Sequence, residues 1–452
     1  MKKSITAILM ATVMLTLTAC AGTPAPAPAP AAPATPAAPT AEAPATAEEP
    51  AREEVTIEFW HAMTGPHQAG IQELIERFHE SQPYVRVNEV FQGGYADLRN
   101  QLMANAITET MPHLAQATVA DVSYYRLEEM ILPLNQYMND PHIGMSQADV
   151  NDIIGIFRET SFFDGELYSV PFSKSTRILF YNRDLLEEHN LSVPQTWDEI
   201  LAAAEVLTDP AAGRTGFGFE NAFDMEWTAL LYQFGGRYID EASNEAVFAS
   251  PEGFAALQFI VDLVNSPYGR TAGADGFLSG VFGRGDVAMY IGSSAGLPHV
   301  TNAVADTFDW GTAPTPATGT SQAVQFAGND VVMFSLNRSH TEAERRGAWE
   351  FLRFTMEPEQ SALWAAASGY IPVRYEAVAL PLWQEHLQAN PRHAAAPAQF
   401  DYGFFLTRVP QASTVRNALL PELENAVLEI ATVEEALTRA QTRANEILAG
   451  RN

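Results

Sequence analysis

Cysteine is almost absent from this sequence, since Cys20 is the only one among 452 residues. A single thiol excludes an intramolecular disulfide, so the folded part of the chain must be stabilised by its hydrophobic core. Two common catalytic patterns are also missing, the zinc-binding H-E-x-x-H and the phosphate-binding G-x-x-x-x-G-K. The ten histidines show no metal-ligand spacing. We therefore expect no enzymatic activity, no metal and no cofactor.

Positive charge is scarce as well. The chain has 26 Lys and Arg against 55 Asp and Glu, which gives a formal net charge of −29. Such a chain is repelled by nucleic acid and by anionic membrane surfaces, and no cluster of basic residues offsets this. The charge favours a soluble, monomeric protein outside the cytoplasm. It does not identify a ligand, because one local arginine can override the global field.

The first twenty residues have the pattern of a secretory leader. Two lysines precede an apolar run that is too short and wrongly flanked to span a membrane. The run ends in Leu17-Thr18-Ala19-Cys20, which resembles a bacterial lipobox. That resemblance implies a signal peptide over residues 1–19 and a lipid on Cys20 that anchors the protein to the cell membrane. The alternative is a plain secretory signal with a chance cysteine, and the expected location is the cell surface or the periplasm.

A tether follows the leader. Residues 20–54 are rich in Ala, Pro and Thr, contain no aromatic residue and end in an acidic stretch. Such a segment cannot bury enough apolar surface to fold, so we expect an extended spacer. The roughly 400 residues beyond it are too many for one small core and favour two lobes.

The body begins with alternating strand and helix patterns. Strands are predicted at Val55–Trp60, Val85–Phe91 and Pro112–Thr118, with helices between them. This β-α-β-α-β order favours a parallel sheet with helices on both faces. Further strands are expected at 216–219, 287–291 and 331–334, and two helices at 414–430 and 433–448 close the chain.

The stretch Tyr168–Val193 is expected to leave one lobe and enter the other. Its polar residues Ser173–Thr176 predict an exposed loop, and the β-rich run Ile178–Tyr181 follows. Other polar or Gly-rich segments follow predicted strands at 61–65, 93–95, 292–296 and 328–330. Ligands of open α/β sheets bind outside the carboxyl ends of strands, so five such loops could surround one small polar ligand.

Several segments, taken in order, read EFWHAM, GGYADL, YSVPFSKSTRILFYNRDLL, PQTWDEI, FGRGDVAMYIGSS, GYIPVR, VPQASTVRN and TVEEAL. Together they resemble the extracellular solute-binding proteins of ABC importers, in the branch that binds maltose, other sugars and glycerol 3-phosphate. The resemblance implies a two-lobed α/β periplasmic-binding-protein fold (type II-like), with parallel-type sheets flanked by helices and hinge crossings between the lobes. One lobe would hold residues 55–171 and 329–383, and the other 172–327 and 384–452. The partners would be a small solute and the permease's transmembrane subunits.

The resemblance also implies a set of ligand contacts. The candidates are Trp60, His61, Tyr95, Ser173, Lys174, Ser175, Trp227, Ser293, Ser294, Gly328, Asn329 and Tyr370. Each has an ordinary structural alternative: Trp227 suits a core position on its helix, Tyr95 an exposed turn, and Ser293 and Ser294 a helix cap. Contacts from both lobes would drive closure around the solute.

The likeness to glycerol-phosphate binders is incomplete. Their glutamate after the third strand corresponds to Thr118–Ala120, and their phosphate-binding arginine to Phe404 or Phe405. Arg408 lies a few residues on and is a candidate replacement, since an arginine fork suits phosphate. The expected ligand is therefore a carbohydrate or a glycerol-phosphate-type solute. A secreted glycoside hydrolase and a surface adhesin-type or peptide-binding lipoprotein are the alternatives, and the acidic residues here lie mostly in helix-like runs that a solvated face explains.

Overall fold

The computed structural model describes residues 53–337, 339–406 and 408–450. The leader, Cys20 and all but the last two residues of the tether lie outside the described residues, so those predictions stay predictions. In the described part of the chain, no helix is both long and apolar enough to cross a bilayer.

Fourteen strands and eighteen α-helices make up the described structure. The strands are β1 (Val55–His61), β2 (Val85–Phe91), β3 (Leu114–Thr118), β4 (Phe162–Phe163), β5 (Glu166–Leu167), β6 (Val170–Asn182), β7 (Thr215–Phe219), β8 (Ile239–Asp240), β9 (Glu245–Ala246), β10 (Gly269–Thr271), β11 (Val287–Ser293), β12 (Trp310–Ala313), β13 (Val324–Met333) and β14 (Gly403–Phe404). The helices are α1 (Pro66–Ser81), α2 (Tyr95–Thr108), α3 (Val119–Leu127), α4 (Asn135–Met138), α5 (Gln147–Asp152), α6 (Gly155–Ser161), α7 (Arg183–Glu188), α8 (Trp197–Leu207), α9 (Asp224–Gln233), α10 (Pro251–Val264), α11 (Ser279–Gly283), α12 (Leu297–Val304), α13 (Glu342–Thr355), α14 (Pro358–Ser368), α15 (Tyr375–Ala379), α16 (Pro381–Ala389), α17 (Ala412–Val427) and α18 (Val433–Leu448).

The main sheet runs in the order β10-β7-β11-β6-β13-β3-β1-β2, with β12 added to β6 and β14 to β13. The three predicted N-terminal strands are confirmed as β1, β2 and β3, and they pair in parallel. The long strands β6 and β13 pair antiparallel with each other and with their outer neighbours β11 and β3, so the sheet is mixed. Helices pack on both faces, since buried apolar side chains form separate clusters on each side of β11 and β6.

The predicted exposed loop at Ser173–Thr176 is wrong. These residues lie inside β6, whose thirteen residues are all buried. Two of their polar side chains have partners within the protein, because Lys174 forms an ion pair with Asp330 and the Thr176 hydroxyl donates to the Gln325 carbonyl at 3.2 Å. Polar residues in a strand therefore looked like a loop because their partners lie far away in the sequence.

The segment Gly328–Asp330 is also part of a strand, although it was expected to be a loop. It lies in β13, where the pairing with β6 shifts register between Asn329 and Asp330. Gly328 has φ +105°, and a Cβ there would come 1.9 Å from the Ser173 carbonyl oxygen. Glycine is required because only it adopts this backbone and allows the two strands to approach so closely.

Candidate functional site

Hydroxyl, amide and phenol groups meet where β6 and β13 cross the middle of the sheet. We call Tyr95, Ser173, Ser294, Asn329 and Tyr370 the crossing cluster. Asn329 pairs with Ser173 on one side and with Thr118 on the other, and Ile371 N–H donates to the Lys174 carbonyl at 2.7 Å. The backbone of two central strands therefore holds residues from distant segments next to one another.

Two tyrosines form the part of the cluster nearest to solvent. The hydroxyls of Tyr95, in the first turn of α2, and Tyr370, after α14, are 3.4 Å apart. Tyr95 is 44% exposed, whereas Tyr370 is 5% exposed. Burial raises the pKa of the Tyr370 phenol well above its usual value. Burial raises the pKa of the Tyr95 phenol, and its interactions with the Tyr370 and Asn329 side chains partly offset this. The Asn329 Oδ1 is buried and has no hydrogen-bond partner among the described residues, which leaves one acceptor of the cluster free.

Serine and glutamine side chains extend the cluster inward. The Gln116 amide, on β3, lies 3.5 Å from the Ser173 hydroxyl, and its oxygen accepts from the Ala62 N–H at 3.1 Å. The Ser294 hydroxyl accepts from the Thr176 N–H at 3.4 Å. Gln116 was not among the sequence candidates, although its position in the third strand, close to the carboxyl end, could have identified it.

Both positive charges near the cluster are neutralised by carboxylates. Lys174 and Asp330 are fully buried and form an ion pair, and Asp330 Oδ2 accepts from Ser169 at 2.5 Å. Arg177 lies between two glutamates. Its Nε contacts Glu226, and its Nη1 is 3.1 Å from the Oε2 of Glu220.

The two glutamates that face Arg177 already occupy its guanidinium. Burial raises the pKa of Glu226 to about 7, and burial also raises the pKa of Glu220. Glu226 Oε2 is buried without a hydrogen-bond partner. Neither glutamate was a sequence candidate, yet Glu220 directly follows β7, where the rule for strand ends applies. This arrangement disfavours an additional anion next to Arg177.

Two sequence candidates lie elsewhere. Trp227 is fully buried, donates its indole N–H to the Gly253 carbonyl at 3.2 Å and packs edge-on against Phe248. Trp227 is therefore a core residue, which is the alternative that its spacing on α9 suggested. No face of its ring is open to a ligand in this structure. Arg408 is exposed and donates to the carbonyls of Glu159 and Phe162, so it does not reach the cluster.

The remaining candidates lie beside the cluster. His61 is fully buried at the end of β1, where it contacts Glu89 and accepts from the Met63 N–H at 3.1 Å. Trp60 is half-buried and packs on the apolar cluster around Leu98. Ser175 is buried within β6, Gly328 provides the close strand approach, and Ser293 accepts from the Ala295 N–H at 3.2 Å as a helix cap.

The run Gly292–Gly296 matches G-x-S-x-G, which in hydrolases places a nucleophilic serine on a sharp turn. The prediction that the protein is not an enzyme was made from other motifs and overlooked this match. Ser294 is fully buried, and its hydroxyl accepts from a backbone N–H rather than donating to a histidine. His67 bonds to the carbonyl of Ala295, the residue after Ser294, at 3.0 Å. Within the described residues, no three His, Cys, Asp or Glu side chains are placed to hold a metal ion.

The chain is similar to known transport receptors. A family model described as bacterial extracellular solute-binding protein matches residues 73–394. The sn-glycerol-3-phosphate-binding periplasmic protein UgpB of Salmonella paratyphi A is 25% identical over 413 residues, which cover 87% of this chain and 92% of that protein.

Solved structures share the fold. UgpB from Mycobacterium tuberculosis in complex with glycerophosphocholine superposes with a TM-score of 0.77 and 23% identity, covering 88% of this chain and 99% of that one. The cyclic α-maltosyl-1,6-maltose binding protein from Arthrobacter globiformis gives a TM-score of 0.73 and 24% identity, covering 88% and 100%. The predicted α/β fold with helices flanking the sheet is confirmed by this likeness.

Proposed function

The chain belongs to the bacterial extracellular solute-binding protein family, and from this we propose that it binds a neutral carbohydrate at the crossing cluster and delivers it to an ABC permease. Members of this family are transport receptors and not enzymes, in agreement with the buried, base-free Ser294. The relatives are named for glycerol 3-phosphate and for maltosyl sugars, and these names limit the classes of solute to consider. The choice between the two depends on the charges of the site.

The observation that carries the proposal is the absence of an available cation at the crossing cluster. Among the described residues there, Lys174 and Arg177 are each paired with buried carboxylates. A phosphate needs charge-assisted donors to replace its hydration. Sugar hydroxyls need neutral donors and acceptors, which Tyr95, Tyr370 and Asn329 offer together with aromatic surface.

Capture would follow closure of two lobes around the solute. The proposed lobe boundaries at residues 171–172 and 327–329 fall inside β6 and β13, so these two strands would contain the hinges. Tyr95 and Tyr370 would then belong to one lobe and Ser175, Ser293 and Ser294 to the other. A solute that contacts both sets stabilises the closed form by its differential affinity. Cys20 would anchor the receptor beside the permease through its lipid.

A ligand panel tests the proposed class. Maltose, glucose, glycerol 3-phosphate and glycerophosphocholine are added to the purified protein while thermal unfolding is followed. A sugar should raise the melting temperature, because a ligand at ~100 times its Kd adds ~2.7 kcal/mol to folding stability. Stabilisation by glycerol 3-phosphate alone would contradict the neutral-carbohydrate proposal, and a parallel assay for glycosidic turnover should show none.

Replacing Tyr370 by Phe should weaken sugar binding about tenfold, because the loss of one buried hydrogen bond costs ~1–1.5 kcal/mol. Isothermal titration calorimetry with the sugar that stabilises best measures the change. Tyr238→Phe is the matched control, since the Tyr238 hydroxyl is buried without a hydrogen-bond partner in a different apolar cluster. An unchanged Kd for Tyr370→Phe, or an equal loss for both variants, would remove Tyr370 from the site.

A further inference from the structure

His67 joins three segments that meet beside the crossing cluster. Its Nε2 lies 3.0 Å from the carbonyl oxygen of Ala295 and 3.0 Å from that of Ser368. Ala295 directly follows Ser294, and Ser368 is two residues before Tyr370, so one imidazole connects the segment that carries Ser294 with the segment that carries Tyr370. The His67 ring also packs on Tyr370, with centroids 5.3 Å apart. The residue lies in the first turn of α1 and is 9% exposed.

The surroundings of His67 oppose a positive charge. His299, in the first turn of α12, packs edge-on against it with ring centroids 5.1 Å apart. Helix N-termini carry partial positive charge, so α1 and α12 both disfavour a protonated imidazole at these positions. The titratable groups that face His67 are His299 and Tyr370: α12 contains no acid, and the one acid of α14, Glu359, is at its opposite end. Burial is the main cause that lowers the pKa of His67, and the neighbouring His299 lowers it further; the hydrogen bonds to the Ser368 and Ala295 carbonyls raise it, but by less.

We propose that His67 is a positioning residue that clasps the Ser294 segment to the Tyr370 segment in its neutral form, and that protonation of this imidazole releases the clasp. The neutral Nε2–H is shared by the two carbonyl oxygens. A second proton on Nδ1 would be buried next to His299 and two helix N-termini with no carboxylate to neutralise it. A cavity of about 260 Å³, lined by Pro66, Pro298, Ala366, His386 and His393 among others, lies next to the start of α1.

The direction of the pH dependence follows from linkage. In an open form, a solvated His67 would titrate near the usual histidine value of 6.5, whereas the clasped form holds the pKa lower. The open form therefore takes up the proton first, and the clasp weakens as pH falls below that value. Each unit of difference between the two pKa values corresponds to a tenfold shift in the equilibrium between the forms.

Small-angle X-ray scattering of the ligand-free protein tests the clasp without requiring a known solute. The radius of gyration of the wild type should rise between pH ~7.5 and pH ~5, while circular dichroism shows that the protein stays folded. His67→Gln keeps an N–H donor but cannot be protonated, so it should remain compact across the range. His67→Ala should have the larger radius at every pH.

His340→Gln is the matched control. His340 stacks on His113 with centroids 3.7 Å apart, and its pKa is lowered to about 4, mainly by burial, but it does not touch α12. This variant should follow the wild-type pH profile. Equal profiles for wild type and His67→Gln, or a wild type whose radius does not change with pH, would overturn the clasp.

A second measurement separates the clasp from the proposed function on which its role in binding rests. Maltose is the probe, titrated at both pH values by calorimetry. Wild-type affinity should fall toward pH ~5 and His67→Gln affinity should not. If maltose fails to bind at either pH while the scattering profiles differ as expected, the clasp stands and the choice of solute is wrong.

Discussion

Asp330→Ala is expected to lower the free energy of unfolding by ~3–5 kcal/mol, because it leaves the buried Lys174 ammonium without its counter-charge. Both side chains are fully buried, and the remaining Asp330 oxygen accepts from Ser161 and Ser169. Guanidinium unfolding followed by tryptophan fluorescence measures the loss. Since β6 and β13 meet at this pair, the central sheet should weaken locally as well as globally.

The sequence offers a direct probe of that local weakening. Lys174 is the only lysine beyond residue 3, so an amine-reactive reagent has a single side-chain target in the body of the protein. Mass spectrometry should find Lys174 unmodified in the folded wild type and modified faster in Asp330→Ala. The control is Asp286→Ala, which removes the exposed partner of Arg284 and should cost less than ~1 kcal/mol. Equal losses in the two variants would show that the buried pair has no special role.

Arg177→Met is expected to destabilise the protein by ~3–5 kcal/mol at pH ~8, because Glu220 and Glu226 would then be buried as two uncompensated carboxylates. Both glutamates contact the guanidinium in the native protein. The loss should be smaller at pH ~5, where protonated carboxyl groups no longer need a cation. Unfolding by guanidinium at the two pH values measures the difference.

The sign follows from the raised pKa values. Burial raises the pKa of Glu226 from the ordinary 4.5 to about 7, and that of Glu220 is raised too. Between these values the folded state holds a proton that the unfolded state has released, so stability falls as pH rises through this range. Without Arg177 the pKa values of the two glutamates rise further, so the pH range over which stability falls extends upward. Arg439→Met, which breaks the exposed pair with Glu422, should cost little at either pH, and a loss for Arg177→Met that is the same at both would contradict the charged cluster.

Much of the architecture could be predicted from local patterns. The alternation in Val55–Trp60 and Val85–Phe91 predicted the first two strands, and helical periodicity predicted the last helix from residue 433, because these signals depend on near neighbours. Tyr95, Asn329 and Tyr370 were candidates through resemblance, and the structure places them together. Whether they bind the solute stays a prediction.

The sequence by itself determined the parallel N-terminal strands, the amphipathic helices and the excess of acidic over basic residues, because the first two follow from local periodicity and the third from composition alone. Only the tertiary structure decided the role of Ser173–Arg177, which looked like an exposed loop and is the buried centre of the sheet. Its charges are neutralised by Asp330, Glu220 and Glu226, all more than 40 residues away. Burial and pairing depend on such distant partners, and no pattern of neighbouring residues encodes them.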